Sequence, residues 1–187
     1  EDEENPVTNL DGLKNLVSVR CDLTITAAYT GETLAGLENL TACESLRIGS
    51  AAHPNETLRQ LSLPALKEIK GDLCVYGTAL QTADFKSLQS VAGHFVLQSD
   101  ALLQLTADEL TTVAGNMTLI GTTADEAKAP CEQMYFPKLQ RIDGTLTLSR
   151  FDRLSGLGTT FGVLTQAGAL RYEHLALANT FEFPLIE

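Results

Sequence analysis

The sequence predicts an all-β fold: a right-handed, parallel β-helix-like solenoid of about seven coils with short 3₁₀ turns. Three observations predict it. The phrase apolar-x-x-Leu-x-x-(Ile/Val)-x-Gly-x-apolar-x-apolar recurs along the 187 residues in seven copies, some clear and some degraded. Within each copy the final apolar-x-apolar alternates with period two, which places its apolar residues on one face of a strand. With the third apolar position as marker, Val19, Cys43, Ile69, Val91, Val113, Ile142 and Ala167 are separated by steps of 24, 26, 22, 22, 29 and 25 residues, leaving no room for a long helix in any coil.

The first copy is weak: Leu13, Leu16, Val19, Leu23 and Ile25, with Cys21 where the glycine belongs. The second, Leu37, Leu40, Cys43, Leu46 and Ile48, is one residue shorter. Three clear copies follow: Leu63, Leu66, Ile69, Gly71, Leu73, Val75; then Phe85, Leu88, Val91, Gly93, Phe95, Leu97; then Ala107, Leu110, Val113, Gly115, Met117, Leu119. The sixth, Phe136, Leu139, Ile142, Gly144, Leu146 and Leu148, comes after an insertion, and the last, Phe161, Leu164, Ala167, Leu170 and Tyr172, is the most degraded. The x-x-Leu-x-x-apolar part has a three-residue period, which fits a 3₁₀ turn or a second short bent strand. The glycine suits a corner where a Cβ would obstruct either the backbone conformation or a close approach.

One coil cannot bury its own apolar face, so the coils are expected to stack about 4.8 Å apart and share one interior. A single domain, residues 1–187, follows: repeats over residues 10–174, with residues 1–9 and 175–187 capping the exposed ends and Phe181 and Phe183 packing over the last coil. Irregular steps place loops at residues 53–59 and 121–135; the second, containing Pro130 and Cys131, is a candidate contact.

Lys and Arg number 13 against 24 Asp and Glu, a net charge of -11. That sign repels phosphate backbones and anionic lipid, so nucleic acid is not an expected partner. The longest uncharged run, residues 154–170, is broken by Gly156, Gly158, Gly162 and Gly168 and makes a poor membrane span, so no direct membrane insertion is expected. The acidic, polar start suits a linker following a cleaved signal or a lipid-anchored cysteine, hence an extracytoplasmic site. His53, His94 and His174 fall in different coils without a second ligand at zinc spacing, and calcium-loop, phosphate-loop and GxSxG motifs are missing, so no metal or cofactor is expected.

The run Leu63-Pro64-x-Leu66-x-x-Ile69-x-Gly71-x-Leu73-x-Val75 resembles the receptor L domain, a leucine-rich-repeat solenoid that forms the ligand-binding lobes of insulin and EGF receptors. Fungal wall proteins and bacterial surface proteins share it. The likeness extends over about residues 9–175 and implies a secreted or cell-surface binding module. Four cysteines are too few for the cysteine-rich modules that flank those receptor domains, so a growth-factor ligand is not implied.

If the apolar strand residues face inward, their neighbours align outward. One column runs Asp22, Ser45, Asp72, His94, Asn116, Thr145, and the next Thr24, Arg47, Cys74, Val96, Thr118, Thr147. Small polar residues on a stacked sheet are first of all a solvated surface. Asp72, His94 and Asn116 form its most polar patch and are the candidate ligand-binding residues. A catalytic use of Cys74 with His94 and Asn116 fails on register, because Cys74 pairs with Val96 and leaves His94 on the diagonal, about 7–8 Å away. No catalytic residues are therefore expected. A carbohydrate-cleaving solenoid would need paired carboxylates, and the coil between Asp22 and Asp72 supplies none to this column.

Cys21 and Cys43 lie in neighbouring coils and are a possible disulfide; Cys74 and Cys131 would pair only if the long loop folded back. Of the sequons at Asn39, Asn55 and Asn116, only Asn55 is expected in a loop and open to glycosylation. Together these features point to a non-catalytic, monomeric module at the cell surface or in the periplasm that binds a protein or glycan through a rigid solenoid face. The alternatives are a structural spacer of an envelope protein and, less favoured, a carbohydrate-active β-helix enzyme.

Overall fold

In the computed structural model, residues 6–122, 129–154, 160–173 and 175 are described. Each clear copy of the phrase opens with an i→i+3 turn. The Leu66 N–H donates to Leu63 O at 3.2 Å, Leu88 to Phe85 at 2.9 Å, Leu110 to Ala107 at 3.3 Å and Leu139 to Phe136 at 3.3 Å. The chain then extends for two residues, as at Glu68–Ile69, Ser90–Val91 and Thr112–Val113. The turn and the short strand, alternatives in the sequence reading, thus occur one after the other.

These two-residue strands stack in parallel as a first ladder, with Val19, Cys43, Ile69, Val91, Val113, Ile142 and Ala167 in register. Past the glycine corner a second parallel ladder forms from Leu23–Ile25, Leu46–Ile48, Leu73–Tyr76, Phe95–Gln98, Met117–Ile120 and the later parts of Arg141–Ser149 and Gln166–Glu173. Seven rungs in each ladder enclose about six turns of a β-solenoid, close to the seven coils expected.

A third parallel ladder was not foreseen. Gln60–Ser62, Thr82–Asp84, Gln104–Thr106 and Gln133–Tyr135 stack in register, and Thr33 bridges to Gln60 at their edge. Each strand sends only its middle residue inward, Leu61, Ala83, Leu105 or Met134. One inward residue per strand produces no visible alternation, which is why a search for period two passes over it.

The interior is a single cluster running the length of the stack. Leu66, Leu73, Leu88, Leu110 and Leu139 are all fully buried, each stabilising the fold by about 1.5–3 kcal/mol through lost apolar surface. Phe85 meets Phe95 edge-on at 6.0 Å, Phe95 meets Phe136 at 6.5 Å, and Phe136 stacks on Phe161 at 5.4 Å, so aromatic contact passes from coil to coil.

The corner glycines are required by close approach. A Cβ on Gly115 would lie 2.7 Å from the Gly93 carbonyl carbon and oxygen, and one on Gly93 2.7 Å from those of Gly71. Their backbones are joined directly, Gly93 N–H to Gly71 O at 2.8 Å and Gly115 N–H to Gly93 O at 2.9 Å. Of the expected caps, residues 1–5 and 176–187, including Phe181 and Phe183, lie outside the described residues, as does His174 at the end of the repeats; Leu175 packs against the core. Residues 123–128 of the long loop also lie outside them.

Candidate functional site

Asp72, His94 and Asn116 sit one above another at the corner between the first and second ladders, each just before a second-ladder strand. The chain turns there, and each side chain accepts the backbone N–H of its equivalent in the next coil. Ser45 Oγ accepts from Asp72 N–H at 3.3 Å, Asp72 Oδ1 from His94 N–H at 2.9 Å, His94 Nδ1 from Asn116 N–H at 2.9 Å, and Asn116 Oδ1 from Thr145 N–H at 2.9 Å. Short side chains with a nearby acceptor suit this role, because they replace a ladder carbonyl where the sheet bends. Ser45 is buried, so it belongs to the corner rather than to the solvated surface expected of it.

This bonding fixes the chemistry of the column. An imidazole that accepts at Nδ1 carries its proton on Nε2 when neutral. His94 therefore offers a donor outward, and Asn116 retains its amide N–H groups. Asp72 has both oxygens engaged, Oδ2 taking Arg47 Nη2 at 3.2 Å. Arg47 also faces Asp22 at 3.7 Å. Such half-exposed pairs contribute about 0–1 kcal/mol and mainly order the side chains.

Cys74 registers with Val96, not with His94. Burial pushes its thiol pKa up, and the nearby Asp72 carboxylate raises it further, the opposite of what an activated nucleophile needs. The thiols of Cys43 and Cys131 are pushed up to about 11, again chiefly by burial. All four cysteines are free: Cys21 is exposed while Cys43 faces the core, so the expected Cys21–Cys43 disulfide is not formed, nor is Cys74–Cys131.

The sequon reading is reversed. Asn55 is fully buried, its Nδ2 donating to Tyr29 O at 2.8 Å and its Oδ1 accepting from Leu58 N–H at 2.7 Å and Thr57 N–H at 3.1 Å. It ties the residue 53–59 loop to the preceding coil and is closed to modification in the fold. Asn39, which lies between the buried Leu37 and Leu40 of the second copy, is exposed.

Several concavities lie away from the corner column. A hollow of about 500 Å³ at the first coil is lined by Val7, Leu10, Ile25, Ala28 and Tyr29. A groove of about 290 Å³ crosses the third ladder, lined by Thr82, Asp84, Lys86, Gln104, Thr106 and Asp108. The groove residues escaped the sequence reading along with their ladder. Their signal is a polar-apolar-polar triplet immediately before the phrase: Gln60-Leu61-Ser62 before Leu63, Thr82-Ala83-Asp84 before Phe85, Gln104-Leu105-Thr106 before Ala107, Gln133-Met134-Tyr135 before Phe136.

Among the described residues, no group of three or more His, Cys, Asp or Glu side chains is placed to hold a metal ion, and no helix is long and apolar enough to cross a membrane. Comparison with known proteins gives no matching family model, curated protein or solved structure.

Proposed function

We propose that the chain is a non-catalytic binding module, acting outside the cytoplasm, that recognises a protein or a glycan through a rigid solenoid face. The observation that carries this reading is the in-register stacking of outward side chains, row on row, over one continuous core. Side chains so placed are preorganised, and binding to them costs little ordering entropy. The polar groups best suited to chemistry, Asp72 and His94, have acceptor atoms engaged by backbone N–H groups. The resemblance of the repeat phrase to receptor L domains agrees with a surface location and with a macromolecular partner.

The test is a screen of the purified domain against a glycan array and a panel of extracellular proteins, with an Asp72→Ala, His94→Ala, Asn116→Ala triple variant alongside. Binding lost in the variant, with an unchanged circular dichroism spectrum, assigns the corner column to the contact. Binding retained moves the contact to another face. Silence from both proteins overturns the binding reading in favour of an envelope spacer.

A further inference from the structure

We infer that the third ladder is a binding site for a neutral oligosaccharide; the inference rests on the binding-module reading and names its face and ligand class. Strand pairing puts Gln60, Thr82, Gln104 and Gln133 in one outward row and Ser62, Asp84, Thr106 and Tyr135 in the next. Every side chain in these rows carries a hydrogen-bonding group, and none is aliphatic. The corner column of the second ladder, in contrast, has its acceptors occupied by backbone.

A sugar hydroxyl is donor and acceptor at once, so its best partners are groups that offer both in a fixed plane. Amides do this, and three of the four residues in the first row are glutamines. Hydroxyls at Ser62, Thr82 and Thr106 fill the spaces between, and the Gln104 amide already reaches Thr106 Oγ1 at 3.3 Å, which steadies its plane. The Asp84 carboxylate adds an acceptor-only group, oriented by the Lys86 N–H at 3.0 Å. A groove of about 290 Å³ lies over the two middle rungs, lined by Thr82, Asp84, Gln104 and Thr106 together with Lys86 and Asp108.

At the end of the second row Tyr135 is 43% exposed, with its hydroxyl bonded to the Gln133 side chain. An exposed ring held by its polar end is a platform for the apolar C–H face of a pyranose. Rungs about 4.8 Å apart are close to the length of one pyranose unit along an extended chain. An oligosaccharide lying along the solenoid axis therefore meets an equivalent amide or hydroxyl at each successive unit. The carboxylates of Asp84 and Asp108 against the single ammonium of Lys86, in a chain of net charge -11, disfavour sulfated or uronic-acid polymers.

The experiment is titration of the whole chain with hexasaccharides of glucose, xylose, mannose and N-acetylglucosamine, and with a sulfated hexasaccharide, followed by calorimetry and ligand-observed NMR. At least one neutral hexasaccharide is expected to bind. Gln104→Ala and Tyr135→Ala should each weaken it about tenfold, the loss of one well-placed contact, while the Asp72→Ala, His94→Ala, Asn116→Ala variant changes it less than about twofold. Both side chains are exposed, so unchanged melting temperatures separate lost contact from lost fold. Binding of none of the neutral sugars, preference for the sulfated one, or indifference to both single variants overturns the inference. A protein partner found in the screen would then leave the broader reading standing, whereas silence in both experiments removes the two together.

Discussion

Replacing Asn55 by alanine tests whether the fold depends on a polar group that the sequence marks as a surface loop. The side chain is fully buried, and three of its bonds are 3.1 Å or shorter: Nδ2 to Tyr29 O, and Oδ1 from Leu58 N–H and Thr57 N–H. Alanine removes both roles. Tyr29 O keeps Thr57 Oγ1 at 3.0 Å, so the main loss is the acceptor for two amides, one buried and one half-buried. An unsatisfied buried N–H costs about 1–3 kcal/mol, which puts Asn55→Ala at about 2–4 kcal/mol. For a chain of this size that lowers Tm by about 4–16 °C. Asn39→Ala is the control, since its side chain is exposed and donates to Lys14 O at 2.7 Å; it should cost no more than about 1 kcal/mol. Urea and thermal unfolding followed by circular dichroism measure both. Equal effects at the two sites would refute the buried-bridge argument, as would mass spectrometry showing a glycan on Asn55 in natively folded protein from a glycosylating host.

Three further outcomes follow from the same geometry. Gly115→Ala drives a methyl to within 2.7 Å of the Gly93 backbone and should destabilise by about 1–3 kcal/mol as overpacking does, while Gly12→Ala, with nothing within 4 Å of its Cβ, should be within about 0.5 kcal/mol of the parent in urea unfolding. Cys43 and Cys131, raised from 9.0 to about 11, keep their protons when folded but ionise when unfolded. The unfolded state then binds fewer protons, so these two thiols make stability fall as pH rises from 9 to about 11. Alkaline denaturation of a Cys43→Ala, Cys131→Ala variant should show a shallower slope, the remainder coming from Cys74, Tyr29, Tyr76 and Tyr172, which burial also raises, and iodoacetamide at about pH 8 should modify the exposed Cys21 first. His94→Asn restores an acceptor of the kind Asn116 supplies one coil on and should match the parent in melting temperature, whereas His94→Ala leaves the Asn116 N–H to water and should cost about 0.5–1.5 kcal/mol.

The sequence makes the solenoid legible because its inward residues obey two conditions at once. Leu73, Val75 and their equivalents must alternate along a strand, and they must recur at the coil length to stack. Gly93 and Gly115 are legible for a related reason, since backbone meets backbone at the corner. The third ladder satisfies only the second condition. A lone inward Leu61, Ala83, Leu105 or Met134 between polar neighbours resembles a loop until the coil register is known. Asn55 was misplaced because His53, Pro54 and Asn55 read as turn residues, and nothing in composition separates an asparagine that initiates a loop from one that fastens it to the neighbouring coil. The corner column was located correctly by register, but its bonding partners are backbone amides, which no residue pattern displays.

That difference in bonding separates the faces chemically. Along the corner the acceptors are consumed by the fold, so His94 and Asn116 present donors outward, and a partner there must bring carbonyls or carboxylates. Along the third ladder the backbone is satisfied strand to strand; glutamine amides and hydroxyls remain able to give and accept, and Asp84 adds a carboxylate that only accepts. A ligand that needs both functions in alternation, as a polyol does, is matched by the second surface and only half matched by the first. The repeat therefore fixes where side chains stand, while the share of their hydrogen-bonding capacity already taken by backbone decides which face recognises what.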